Sequence, residues 1–295
     1  MSIFTGSGVA IVTPFSDSGV NFDTFGKLID FQIEQGTDAI VVCGTTGEPS
    51  TMTAREKEAA IAFAVERANK RVPVVAGTGG NNTAAVIEAS RRAQALGANA
   101  LLIVTPYYNK CTQAGAVAHY NAVADAVDLP IIVYNVPSRT SFNILPDTLL
   151  KMSEHPNIAA VKEASGNISQ ITEMFRLCTG NLDFYSGNDD HIFALLALGG
   201  KGVISVVANV APRDTHELVA AFLRGDIAAS RDLQFRLNPL VRALFSEVNP
   251  IPAKAALNLM GFDMGDPRMP LTRISEGNLE KLRAAMIDYG IRIKG

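Results

Sequence analysis

Eight short apolar runs punctuate the chain, at 8–13, 39–43, 73–77, 100–105, 130–135, 158–162, 182–186 and 203–207. Most are rich in Val and Ile, and they do not alternate with polar positions. Continuous apolar runs of this length fit parallel strands covered on both faces, because a half-exposed sheet alternates. Helical spacing fills the segments between them. Thr53-Ala54-Arg55-Glu56 reads as a capping box opening a helix toward Arg71. Gly97 suits the C-terminal cap of a helix that starts near Thr83. Pro212 suits the first turn of the helix after the last strand. Eight strand–helix units, repeating every ~25–30 residues, predict an α/β fold: a (β/α)8 TIM barrel, which takes ~250 residues. A doubly wound open sheet is the competing arrangement. It normally carries a glycine fingerprint after its first strand, and Val12-Thr13-Pro14-Phe15 is not one.

The pattern changes at Gly225-Asp226. Beyond it, helical spacing continues over 228–245, 253–260 and 278–289, with Asn249-Pro250-Ile251-Pro252 as a separator. The expected division is a catalytic barrel at 1–225 and a C-terminal all-helical domain at 226–295, with no flexible linker between them.

Composition narrows the function classes. Of 295 residues, 47% are hydrophobic and 19% charged, enough apolar content for one large core. A net charge of -3 leaves no basic footprint for nucleic acid. No apolar stretch reaches the roughly 20 residues of a membrane span. The opening Met1-Ser2-Ile3-Phe4-Thr5-Gly6 lacks the regions of a signal peptide, so a cytoplasmic location is expected. Cys43, Cys111 and Cys178 are odd in number, widely spaced and not in CxxC pairs. They read as reduced and buried thiols, with no disulfide framework or zinc site. His119, His155, His191 and His216 have no metal-ligand spacing, and surface or capping roles are expected for them. Gly199-Gly200-Lys201-Gly202 precedes a strand and reads as a turn, since a phosphate loop precedes a helix.

The chemistry centres on Lys162, at the carboxyl end of the run Ile158-Ala159-Ala160-Val161-Lys162. Burial there disfavours an ammonium, and a neutral amine attacks ketones to form a Schiff base. A lysine that merely snorkels to solvent is the plainer alternative. Chemistry in a barrel collects where its strands end. There the sequence places Thr45 and Thr46, Tyr107 and Tyr108, Tyr134 and Arg139, Lys162, and Gly187. Tyr134 is the candidate proton shuttle, with a hydroxyl relay through Thr45. Thr45 and Thr46 suit a carboxylate beside the ketone, and Arg139 offers a planar fork for a second carboxylate. Glu48 and Glu163 are read as structural ion-pair partners. The implied reaction is addition of a 2-oxo acid enamine to an aldehyde that carries its own carboxylate.

These segments carry a resemblance. Gly44-Thr45-Thr46-Gly47-Glu48, Thr105-Pro106-Tyr107-Tyr108-Asn109-Lys110, Tyr134-Asn135-Val136-Pro137-Ser138-Arg139-Thr140 and Val161-Lys162-Glu163-Ala164 occur in order, joined by Gly202-Val203-Ile204-Ser205 and Asn249-Pro250-Ile251-Pro252. The chain resembles the dihydrodipicolinate synthase (4-hydroxy-tetrahydrodipicolinate synthase) family of pyruvate-dependent class I aldolases over nearly its whole length. The resemblance implies a Schiff base of pyruvate on Lys162, Tyr134 as proton donor and acceptor, and Thr45 linking Tyr134 to Tyr108. It implies a pyruvate site shaped by Thr46, Gly187 and Ile204, and Arg139 holding L-aspartate 4-semialdehyde. It further implies a lyase of diaminopimelate and lysine biosynthesis, with no metal and no organic cofactor. A homo-oligomer is implied, a dimer of dimers or homotetramer, with Tyr108 crossing into the neighbouring subunit's site. A regulatory lysine site is implied around Ser50, Lys57, Asn81 and Tyr107. The family's lysine-sensitive members carry histidines and a glutamate where this chain has Ala54, Lys57 and Ala85. Weak or absent inhibition by L-lysine is therefore expected, to be read from an inhibition titration. Asn188 and Ser141 depart from the family's usual aspartate and glycine. Related sugar-acid aldolases, and a binding protein that keeps the barrel without chemistry, are the alternatives; Arg139 and Tyr108 argue against the first, and intact Lys162, Tyr134 and Thr45 against the second.

Overall fold

The computed structural model describes residues 2–294. Eight parallel strands close into a barrel in chain order: β1 (Gly6–Ala10), β2 (Ala39–Val42), β3 (Val74–Gly77), β4 (Ala100–Val104), β5 (Ile131–Asn135), β6 (Ile158–Glu163), β7 (Asp183–Ser186) and β8 (Gly202–Ser205), with β8 pairing back to β1. Alternate residues explain the unbroken apolar runs. One set, including Ala10, Val41, Val75, Leu102, Ile132 and Ile204, fills the barrel interior. The other, including Ile40, Val74, Ile103, Val133, Val161 and Phe184, packs under the surrounding helices. Both faces are dry, so neither tolerates polar alternation.

The seam between β1 and β8 needs glycine. A Cβ on Gly202, at φ +155°, would lie 1.8 Å from the carbonyl oxygen of Gly6. This explains a difference from expectation: β1 runs over Gly6–Ala10, ahead of the apolar run at 8–13. Glycines carry no hydropathy signal, yet only they fit the seam. The apolar continuation still reaches the mouth, where Ile11 N–H donates to the Val41 carbonyl at 3.1 Å. β8 likewise stops at Ser205, and Val207–Asn209 forms a short 3-10 turn. A small hairpin, Phe15–Ser16 with Gly19–Val20, is too short to show in the hydropathy pattern.

Phe4 closes the lower end of the interior. Its ring stacks on Tyr185 with centroids 4.3 Å apart, and the Tyr185 hydroxyl donates to the Phe4 carbonyl at 2.6 Å. A Cβ on Gly8 would meet the Phe4 ring at 2.8 Å, so β1 is bare where the ring enters.

The capping box forms: Glu56 N–H donates to Thr53 Oγ1 at 3.2 Å and Thr53 N–H to Glu56 Oε2 at 2.8 Å, opening the helix α1 (Ala54–Ala68). The expected stop at Gly97 and start at Pro212 are also seen, in the helices α2 (Thr83–Ala95) and α3 (Pro212–Leu223). Three helices follow, α4 (Ile227–Leu244), α5 (Ile251–Met260) and α6 (Glu276–Tyr289). Among the described residues no helix is long and apolar enough to cross a membrane.

The C-terminal segment is fastened to the barrel mouth by polar contacts. Lys254 Nζ lies 2.8 Å from Glu48 Oε1, each side chain 1% exposed. Burial pulls the Lys254 ammonium down, and Glu48 counters that pull. Arg268 grips Glu56 at 2.6 Å, and both Lys254 and Arg268 sit over the Phe15 ring, 4.2 and 4.0 Å from its centroid. The Glu48 ion pairing expected from sequence is therefore present. One histidine differs: His119 is buried among Ala116, Tyr120 and Val123, with Nδ1 2.9 Å from Thr83 Oγ1. Its helix turns it inward, so the surface expectation fails there.

Candidate active site

Tyr134 and Lys162 are register partners on adjacent strands, both facing the barrel interior. Lys162 Nζ sits 4.3 Å from the Tyr134 ring centroid, and the two residues are 5% and 6% exposed. Gly187 makes room for the lysine stem, since a Cβ there would lie 3.1 Å from Lys162 Cε and 2.7 Å from Ala164 Cβ. Ile204 faces the same interior.

The residues that follow face outward and pair as well. Asn135 and Glu163 are register partners, and Asn135 Nδ2 donates to Glu163 Oε2 at 2.9 Å. Ser165 N–H donates to Glu163 Oε1 at 2.6 Å. Burial pushes the Glu163 carboxyl up, against the pull of these donors. The expected ion pair at Glu163 is not what forms; two N–H groups take the place of a cation.

After β2 the chain turns sharply. Cys43 takes φ +55°, ending the strand one residue before the apolar run does. Thr45–Gly47 forms a 3-10 turn closed by Glu48 at φ +56°. Asn249 Nδ2 donates to Thr46 Oγ1 at 3.0 Å, leaving the threonine proton free to point elsewhere. The Cys43 thiol is pushed up to about 12 by burial, which makes it inert. Asp189 is wholly buried; its Oδ2 accepts Val206 and Val207 N–H groups at 3.0 and 2.8 Å, and burial raises its carboxyl.

A cleft of about 340 Å³ opens above this cluster, lined by Thr45, Ser50, Lys57, Tyr107, Tyr134 and Arg139 among others. Tyr134 lines this cleft and also packs against Lys162, joining the two. Arg139 sits exposed on the short helix Pro137–Thr140 that follows β5. Tyr107 is 39% exposed and its carbonyl accepts Asn81 Nδ2 at 3.2 Å. Tyr108 stands apart, 92% exposed with φ +68°. A larger cleft of about 600 Å³, lined by Pro130, His155 and Lys201, lies at the opposite end of the barrel and holds none of the predicted groups.

The barrel thus gathers Lys162, Tyr134, Gly187 and Ile204 in its interior and brings Thr45, Arg139, Lys57, Ser50 and Tyr107 to the cleft. Sequence reasoning passed over Asn135, Asp189 and Asn249. A buried amide or acid with a distant partner leaves no local pattern.

The model of the Dihydrodipicolinate synthetase family matches residues 3–288. The chain is 56% identical over 292 residues to the 4-hydroxy-tetrahydrodipicolinate synthase of Thermoanaerobacter sp. (strain X514), covering 99% of this chain and 98% of that one. It is 54% identical to the like-named protein of Caldicellulosiruptor bescii over the full length of both. The crystal structure of dihydrodipicolinate synthase from Aquifex aeolicus superposes with a TM-score of 0.97 at 45% identity, covering 99% of this chain and 100% of that one.

Proposed function

The chain belongs to the dihydrodipicolinate synthetase family, and from that premise we propose that it is a Schiff-base lyase condensing pyruvate with L-aspartate 4-semialdehyde on the route to diaminopimelate and lysine. The observation that carries this reading is the inward, in-register pair Tyr134–Lys162 at the carboxyl end of the barrel, with Nζ 4.3 Å from the ring centroid.

In the proposed mechanism the neutral Lys162 amine adds to C2 of pyruvate. Tyr134 gives the carbinolamine oxygen a proton, and water leaves to form the imine. The Tyr134 phenolate takes a C3 proton to give the enamine, whose C3 attacks the aldehyde carbon while the aldehyde oxygen takes that proton back from Tyr134 as it becomes the hydroxyl. The α-amine of the condensed chain then adds to C2 and displaces Lys162, closing the ring as (2S,4S)-4-hydroxy-2,3,4,5-tetrahydrodipicolinate. Thr46 and Thr45 hold the pyruvate carboxylate, Gly187 and Ile204 shape its pocket, and Arg139 takes the carboxylate of the aldehyde. The freed Thr46 hydroxyl proton and the Arg139 fork, unpartnered among the described residues, support those roles. The exposure of Tyr108 supports its use by a neighbouring copy in a homo-oligomer, a dimer of dimers. Three free cysteines, two of them buried, suit a reducing cytoplasm.

Borohydride reduction in the presence of pyruvate tests the reading. Mass spectrometry is expected to find one reduced adduct, on Lys162, that Lys162→Ala abolishes. An adduct on another lysine removes the mechanism.

A further inference from the structure

We infer that Asn135 and Glu163 are positioning residues that fix Lys162, Tyr134 and Arg139 relative to one another. The inference rests on the proposed reaction and adds two groups to it that touch neither substrate.

The Asn135 side chain uses three hydrogen bonds in three directions. Its Oδ1 accepts Ile144 N–H at 3.0 Å, and its Nδ2 donates to Asn143 Oδ1 at 3.0 Å and Glu163 Oε2 at 2.9 Å. The first two close a loop. The chain leaves β5 at Asn135, carries Arg139 on a single helical turn, and returns to Asn135 at 143–144. Arg139 therefore stands at the apex of a loop whose base one amide pins. The third bond crosses to β6. There Glu163 follows Lys162 as Asn135 follows Tyr134, so the outward pair fixes the register of the inward one. The network continues through a reciprocal amide pair: Asn143 Nδ2 donates to Gln170 Oε1 at 2.6 Å, and Gln170 Nε2 to Asn143 Oδ1 at 3.1 Å.

Backbone donors set the polarity at Asn135 and Glu163, since Ile144 N–H and Ser165 N–H can only donate. Both Glu163 oxygens face N–H donors, so a carboxylate fits and a carboxamide does not. In Glu163→Gln the new NH₂ must oppose either Ser165 N–H or Asn135 Nδ2. Asn135→Asp instead sets two carboxyls against each other. The double variant Asn135→Asp/Glu163→Gln reverses the donor and the acceptor. The introduced carboxamide then donates to the introduced carboxylate while still accepting Ser165 N–H, and Asn143 with Gln170 can rotate their amides together to match, giving up only the long Gln170 Nε2 contact to the Ile144 carbonyl at 3.4 Å.

The experiment measures kcat, both KM values, the rate of borohydride-trapped Lys162 adduct, and the folded fraction by circular dichroism for wild type, both single variants and the double. The expected result per folded molecule is a ten- to hundredfold lower adduct rate in each single variant, with a raised KM for the semialdehyde. The double variant is expected to return to within about threefold of wild type. Reciprocal rescue of rate and KM is something a general loss of packing does not produce. A double variant that is unfolded, or no faster than the poorer single, overturns the inference. So do single variants with wild-type kinetics. Absence of the Lys162 adduct in the wild type would instead remove the proposed reaction itself.

Discussion

Arg139 is exposed at the cleft mouth, and among the described residues no carboxylate pairs with it. A guanidinium left free in this way has its whole fork available to a ligand. Arg139→Ala is therefore expected to raise KM for the semialdehyde ten- to hundredfold, the ~1.5–3 kcal/mol of a charge-assisted contact, and KM for pyruvate by less than about threefold. Steady-state kinetics with each substrate varied checks this; equal changes would detach Arg139 from the aldehyde. Lys162 and Tyr134 are legible in the sequence because a polar residue ending an apolar strand is conspicuous. Asn135 and Glu163 stand next to them and are not. Their meaning lies in each other, 28 positions apart. The inward face that buries His119 is set by how its helix packs, which the sequence around it does not state.

At the scale of elements, the barrel strands are legible because burial on both faces writes an unbroken apolar run. Their ends are less so, since the Gly6–Gly202 seam and the turn at Cys43 depend on close approach and backbone angle. The attachment of α5 to the turn after β2 is half legible: Glu48 reads as an ion-pair partner, but not whose. With both Glu48 and Lys254 buried, removing one strands the other. Lys254→Met is expected to destabilise the fold by ~3–5 kcal/mol, seen as a lower urea midpoint. Adding Glu48→Gln is expected to recover a good part of that loss, because no charge then remains buried alone. A midpoint unmoved by Lys254→Met would mean that Glu48 finds another partner or water.

At the scale of the whole molecule, Tyr108 projects away from its own cleft, and the proposed relay through Thr45 needs a second chain. Tyr108→Phe and Thr45→Val are each expected to be defective, yet mixing the two is expected to regain activity, up to about a quarter of sites being intact if subunits exchange at random. Mixed oligomers, with exchange proven by mass, give the readout; no recovery would put both groups in one chain. The stacked Phe4 and Tyr185 rings have their own consequence. They stopper the barrel interior at its lower end, on the far side of Lys162 from the cleft that Tyr134 and Arg139 line. A well filled from its top imposes a queue. On the proposed reading the keto acid must descend first and be bonded at Lys162 before the aldehyde enters, because an aldehyde held at Arg139 stands at the mouth above it. The product must then leave by that mouth before the next keto acid comes down, so the order of traffic follows from where the barrel is stoppered.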